Sequence, residues 1–337
     1  MKKEYIDIIN SLISVEKNNV FSPTAFADAL FLLSKITAGN TRKQIVNLTG
    51  EKRIILHETL ENCKVSSSCW INSYFAGDAG LADMDSLYRV KMGEVKTDKM
   101  IKEWVSKATG EMLDDEIDIS TDRDTVVELL SAIYFKAAWN RKFNKKDSYK
   151  GEFHITEDKI SECEFMSREI RTPYYCGEGY DAVGIGFSSC ANIWFVRPRN
   201  GRSIKESMNE FISSNYNSKW EEHMVMLAVP KADISSKLDL RDCMIRLGIE
   251  EVFDGNKADF SALSETERLC LTKAEQTSRI KWDEDGVEGA SCVEMAISRA
   301  CIIPESDRIE FILDSPFFYM ITDFDDNPLF AGVFLNN

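Results

Sequence analysis

Three histidines, His57, His154 and His223, and nine cysteines are the side chains of this 337-residue chain best suited to nucleophilic or metal chemistry. His57 opens the run "HETLE", but a zinc-hydrolase helix needs a second His four residues on, and Glu61 stands there. Cys63, Cys69, Cys163, Cys176, Cys190, Cys243, Cys270, Cys292 and Cys301 form an odd, scattered set with no C-x-x-C pair. Neither a disulfide framework nor a zinc site is written in them. A thiol-enzyme reading needs one of these cysteines beside a distant His; the sequence leaves that open, and no local context supports any one of them. No G-x-S-x-G, P-loop or G-x-G-x-x-G motif occurs. Enzyme catalysis, a metal and a cofactor are therefore not expected. What does demand a function is the stretch "DEDGVEGASCVEMAISRACIIPESDR", residues 283–308, which has small side chains, two glycines and no helical apolar stripe. Loops of that length inside compact domains are uncommon, and they are usually functional or disordered.

The elements that must hold such a loop can be read from composition and pattern. With 44% hydrophobic and 29% charged residues the chain can bury a large core, and no Pro/Ser-rich linker or fixed-period repeat divides it. One domain over residues 1–337 is expected. A net charge of -15 argues against phosphate backbones and anionic membranes as partners, since both reward basic faces. The N-terminal "MKKEYIDIINSLISVEKNN" has helical spacing and no signal-peptide core, and the apolar run around "FADALFLL" is too short to span a bilayer. Reduced thiols in a cytoplasmic protein are the expectation, although Asn47-Leu48-Thr49 is a glycosylation triplet of a kind that arises often by chance.

Residues 22–39, "SPTAFADALFLLSKITAG", predict a buried helix with Ser22 as N-cap, Pro23 at the first helical position and Gly39 after the end. Residues 97–113 predict an amphipathic surface helix with Met100, Ile101, Trp104, Val105 and Ala108 along one stripe. Residues 125–139, "TVVELLSAIYFKAAW", are β-branched and aromatic enough for a long buried strand, though the first half fits helix as well. "ANIWFVRP", "HMVMLAVPKA", "CLTKAEQTSRIKW", "RIEFILDSPFFYMITD" and "NPLFAGVF" predict strands concentrated in the C-terminal half. Helices first and strands later make the class α+β.

Five blocks carry a family resemblance: "NNVFSPTAFADALFLLSKITAGNTRKQI" (18–45), "LLSAIYFKAAWNRKF" (129–143), "VMLAVPKADISSKLDLRDCMIRLGIEEVFDGNKADFSAL" (225–263), "WDEDGVEGAS" (282–291) and "SPFFYMITDFDDNPLFAGVF" (315–334). In content and order, across nearly the whole chain, they resemble the serpin family. The short N-terminus, and "CKVSSSCWINSYF" following the third helix almost directly, are similar to the trimmed intracellular poxvirus members. The resemblance implies three β-sheets, about eight helices and an exposed reactive-centre loop at about 283–305. It implies a monomeric suicide-substrate inhibitor whose loop is cleaved by a target protease and then inserts into the main sheet, carrying the acylated enzyme with it. Its partner would be a serine protease, or a cysteine protease, and in a viral protein the role would be modulation of host defence from the host cytoplasm.

The loop can be compared with that mechanism residue by residue. A segment that becomes a central strand must turn one uncharged, compact set of side chains inward, and strand side chains alternate. Counting by twos from Val287 gives Val287, Gly289, Ser291, Val293, Met295 and Ile297, whereas Glu288 and Glu294 fall together on the opposite set with Ala290. No Pro or charge occupies the inward set. Thirteen residues at about 3.3 Å each give roughly 43 Å of travel. Glu284 and Gly286 would form the root of the hinge. The family usually has Thr or Ser at Val287 and Ala at Gly289, and the glycine lowers strand propensity, which would slow insertion. Family spacing places the scissile bond after Ala300, before Cys301; a loop one residue shorter places Arg299 there. Arg299 suits a trypsin-like pocket and is the preferred determinant, Ala300 an elastase-like one. No Asp lies between 286 and 306, so the loop does not support an aspartate-specific target. The resemblance also assigns Ser22, Ala25, Ser131 and Gln276 to the region that opens the sheet, with Trp139 and Glu284 at its top. Ala25, Ser131 and Gln276 differ from the family's usual Ser, Asn and His, which predicts an altered polar cluster there.

Overall fold

The computed structural model describes residues 1–52, 60, 63–75, 86–111, 120–214, 221–263, 268–287 and 308–336. In chain order the helices are α1 (Lys3–Leu12), α2 (Pro23–Ile36), α3 (Gly39–Thr49), α4 (Val95–Ala108), α5 (Ile204–Ser213) and α6 (Arg241–Arg246). The strands are β1 (Asn19–Phe21), β2 (Cys63–Asn72), β3 (Leu87–Val90), β4 (Val127–Phe135), β5 (Ala137–Ala138), β6 (Tyr149–Thr156), β7 (Lys159–Cys176), β8 (Tyr180–Gly186), β9 (Asn192–Pro198), β10 (Glu221–Pro230), β11 (Ala232–Asp239), β12 (Leu271–Asp283), β13 (Gly286–Val287), β14 (Arg308–Ile312), β15 (Phe317–Thr322) and β16 (Pro328–Phe334).

These strands build two hydrogen-bonded sheets. One has seven strands in the order β3-β2-β4-β12-β13-β5, with β11 also paired to β12. The other has nine, β1-β16-β15-β9-β8-β7-β10-β14, with β6 on β7. The nine fall into two groups that share β7, which pairs with β10 over residues 165–174 but with β8 only from Tyr174 to Cys176. Counted that way, the expected three sheets are present. The α+β class is as expected too, whereas the described residues hold six α-helices rather than about eight.

α2 is the buried core helix that its sequence predicts. The Ser22 hydroxyl accepts from the Ala25 N–H at 3.0 Å, Pro23 occupies the first turn, and apolar side chains such as Phe26, Leu30 and Leu33 are fully enclosed. Each such side chain contributes about 1.5–3 kcal/mol on burial. The helix stops at Ile36, and Gly39, at φ +53°, opens α3 instead of capping α2. α4 starts two residues before the predicted span and ends at Ala108, because Gly110 takes a left-handed φ of +60°. Its stripe of Ile101 and Val105 packs with Trp70, Val90 and Leu130 on the outer face of the seven-stranded sheet, while Met100 stays exposed. On the inner face two clusters divide the core. One joins α1, α2, α5 and α6 to the lower part of the sheets; the other, rich in Phe, fills the space between the two sheets above.

The 125–139 run is strand throughout its regular part, β4 and then β5. The strands β6 to β8 were not legible as strands. β6 and most of β7 alternate exposed polar with buried residues without a dense apolar run, so only cross-strand pairing decides their conformation.

Candidate functional site

The seven-stranded sheet is paired unevenly along its centre. β4 and β12 run parallel and are directly paired from Val127 opposite Leu271 up to Ser131 opposite Gln276. Above that point residues 132–136 and 277–281 have no ladder between them; each uses only its outer edge, β4 against β2 and β12 against β11. At about 3.3 Å per residue the unjoined edges run for roughly 17 Å. The two edges meet again only through β13, where Trp282 faces Val287, Asp283 faces Gly286, and Gly286 and Val287 pair in turn with Ala138 and Ala137 of β5.

Val287 lies on the core side, fully buried in the upper cluster with Trp282 and Ala137. Gly286 has φ +151°, and a Cβ there would collide with the carbonyl oxygen of Ala137. Only glycine lets the backbone pass so close at that φ. The rest of the candidate loop residues, Glu288, Gly289, Ala290, Ser291, Val293, Arg299, Ala300 and Cys301, lie outside the described residues.

A dense set of charges and aromatics fixes the root of β13. Glu284 is 4% exposed, not the solvated acid that its sequence context equally allows. Its carboxylate accepts from the Ser148 hydroxyl at 2.6 Å and is paired with the Lys231 ammonium at 2.8 Å. Burial pushes its pKa upward, but the hydrogen bonds from Lys231 and Ser148 outweigh that and hold it below the usual carboxylate range. Its carbonyl accepts from the Phe143 N–H at 3.0 Å. Asp285 takes Lys142 at 2.9 Å and Lys145 at 3.2 Å, and those lysines lower its pKa. Trp139, buried and stacked on Phe187 at 4.8 Å, donates its indole N–H to the Asp283 carbonyl at 2.7 Å. Lys231 and Ser148 carry no sequence signal that would pair them with Glu284, because only the tertiary fold brings them to it.

At the lower end the structure brings Ser22, Ala25, Ser131 and Gln276 together. Gln276 is 1% exposed. Its amide oxygen accepts from the Ser22 N–H at 2.8 Å, and its amide nitrogen donates to the Ser22 carbonyl at 3.0 Å and to the Ser131 hydroxyl at 3.2 Å. Ala25 contributes its backbone N–H to the Ser22 side chain. One side chain thus ties β12 to β4 and to the N-terminus of α2, with no charge involved.

Among the described residues no group of three or more His, Cys, Asp or Glu side chains is placed to hold a metal, and Cys63, Cys69, Cys163, Cys176, Cys190, Cys243 and Cys270 are free thiols. No helix of the described residues is long and apolar enough to cross a membrane.

A central sheet closed at one end and held by a two-residue strand at the other, with helices covering its outer and lower faces, defines a protein class. The family model for serpins (serine protease inhibitors) matches residues 6–337, and the chain belongs to that family. It is similar to pig plasminogen activator inhibitor 1, with 25% identity over 91% of this chain and 84% of the relative. It is also similar to serine proteinase inhibitor 1 of Myxoma virus (strain Lausanne), 26% identical over 90% and 82%. Human thyroxine-binding globulin, solved in complex with thyroxine, superposes with a TM-score of 0.83 at 20% identity, covering 99% of this chain and 97% of that one.

Proposed function

We propose that the chain is a suicide-substrate inhibitor of a serine endopeptidase, acting as a single domain, in which the cleaved loop enters the seven-stranded sheet as a new central strand. The observation that carries this reading is β13: Gly286 and Val287, near the root of the loop, are already paired on both edges, and beyond them lie two facing strand edges with no ladder between them. A strand continuing from Val287 would find donors and acceptors on both sides, and main-chain pairing of this kind is what drives strand addition. The parity set by Val287 would put Gly289, Ser291 and Val293 on the core side of such a strand, and Glu288 and Ala290 on the side facing outward.

Arg299 is the proposed specificity residue and a trypsin-like enzyme the proposed target, with Ala300 and an elastase-like enzyme second. A guanidinium matched to a buried carboxylate discriminates far more strongly than a methyl group in a shallow slot. The similarity to a Myxoma virus inhibitor supports a viral role in countering host defence, exercised in the host cytoplasm.

The test is incubation with trypsin-like and elastase-like enzymes, followed by denaturing gels and mass spectrometry of the released C-terminal fragment. A complex that survives denaturation, with a fragment beginning at Ala300, is expected. Clean cleavage with no complex would overturn the inhibitor reading. The structural neighbour that binds thyroxine favours a second reading in that event: a binding module whose loop is merely a substrate. Ser291→Arg sharpens the test, since it forces a charge into the inward set while leaving the recognition residues intact. The variant should still be cut but should release active protease.

A further inference from the structure

A cleft on the outer face of the seven-stranded sheet has no part in the inhibitor reading. It lies between α4 and the upper part of β2, has a volume of about 310 Å³, and is lined by Lys64, Ser66, Ser86, Tyr88, Trp104 and Lys107 together with smaller neighbours. Alternation along β2 accounts for its floor. Trp70 packs with Ile101 and Val105 of α4, so Lys64 and Ser66, an even number of residues away, share that outer face. Ser67 turns the other way and donates its hydroxyl to buried Asp28 at 2.7 Å. Helical spacing accounts for the roof, since Trp104 and Lys107 stand three residues apart beside the stripe that packs on the sheet. Tyr88 is stacked on Trp70 at 4.3 Å and so forms a fixed wall. β2 is paired here with residues 132–135 of β4, so the cleft lies over the half of the sheet that is not zipped to β12.

Charge sets this cleft apart. In a chain with 56 acidic residues against 41 basic ones, no carboxylate is among the described residues that line it. Neither the Lys64 nor the Lys107 ammonium has an ion pair among the described residues. The cleft beside the loop root is the contrast: there Lys145 is matched by Asp285, and Lys231 by Glu164 and Glu284.

We propose that this cleft binds a small aryl phosphate, one flat ring carrying a phosphate monoester. A phosphate monoester holds between one and two negative charges at neutral pH and three acceptor oxygens, which two ammonium groups and the serine hydroxyls match. Tyr88 and Trp104 offer the ring an apolar wall of its own kind. The volume stands at the small end of the range of ligand sites, about 300–1,000 Å³, and limits the occupant to a single ring.

Calorimetric titration of the intact chain with phenyl phosphate, and separately with inorganic phosphate, tests this at an ionic strength held constant with sodium chloride. Saturable binding of one equivalent of phenyl phosphate is expected, with inorganic phosphate about tenfold weaker because it lacks the ring. Lys64→Gln and Lys107→Gln change exposed side chains, and each should weaken phenyl phosphate about tenfold, the effect of losing one charge-assisted hydrogen bond. Lys99→Gln is the control: it lies on the same helix but outside the cleft, paired with Glu103, and should leave the affinity unchanged. No saturable binding, an affinity unchanged in Lys64→Gln and Lys107→Gln, equal losses in all three variants, or inorganic phosphate binding as tightly as phenyl phosphate overturns the proposal. The titration needs no protease and no cleavage, so it stands or falls separately from the inhibitor reading.

Discussion

The lower and upper halves of one strand pair, β4 and β12, are joined differently, the lower by a direct ladder and the upper only through β13. Below, the strands are zipped together and the neutral amide of Gln276 reaches both β4 and the backbone of Ser22. On the outer face of that seam Lys273 bridges Glu128 at 2.8 Å and Glu275 at 3.1 Å; burial raises the Glu128 pKa and the Lys273 hydrogen bond offsets that only in part. Above, the two edges stand apart, and β13 is held between them by ionic contacts at Glu284 and Asp285. Backbone ladders and buried amides are insensitive to pH and salt, whereas partly exposed ion pairs are not. The same two strands therefore combine a seam that stays shut with a mouth that can be opened by local changes.

The largest effect expected from this contrast comes from filling the mouth. Nicking the loop with a non-target protease should raise the melting temperature by on the order of 10 °C or more, since a kcal/mol corresponds to about 2 °C in a chain of this size and the new strand satisfies two edges at once. Unfolding followed before and after the nick checks it, and an unchanged melting temperature would remove the metastable upper half from the picture.

Next comes the seam. Gln276→Leu leaves the Ser22 N–H and the Ser131 hydroxyl without their partner in a buried site, while the Ser22 carbonyl keeps the Phe26 N–H, a loss of about 3 kcal/mol. It should also make the intact chain accept its own loop, or an added strand peptide, without cleavage. A denaturant titration gives the first number; a loss no larger than at an exposed glutamine would show that the bolt carries no load.

Glu284→Gln is expected to cost about 2 kcal/mol, because Lys231 keeps its bond to Glu164 while the Ser148 contact survives in neutral form. Indole fluorescence should place the early change at Trp139, whose N–H depends on the Asp283 carbonyl next door. A loss spread evenly over both halves would contradict the division drawn above.

The smallest effect is with acid. Glu284 and Asp285 both have lowered pKa values in the folded chain. Each therefore contributes stability that is fully present above its unfolded value, about 4.3 for Glu and 3.9 for Asp, and that is lost as pH falls through the folded value. The upper half should loosen below about pH 4, with the Gln276 contacts intact. Stability measured from pH 6 to pH 3 should fall less steeply in Glu284→Gln than in the parent.

Much of this was legible in the chain itself. The Ser22-Pro23 start of α2, the apolar stripe of α4 and the β-branched runs of β4, β9, β12 and β16 follow from local propensity and periodicity, which act within a few residues. Gly286 was readable as a hinge glycine only through a family resemblance; the reason it must be glycine, the Ala137 carbonyl against its Cα, belongs to the folded state. β6 and most of β7 were hidden because their conformation comes from neighbours rather than from an apolar pattern. Only the tertiary structure could decide that Glu284 is buried against Lys231, that Gln276 grips the backbone of Ser22, and that Arg168 is enclosed with no hydrogen-bond partner among the described residues. Each depends on pairing residues tens to hundreds of positions apart, and the free energy of a buried charge or amide is set by what surrounds it in space, which the order of residues along the chain does not specify.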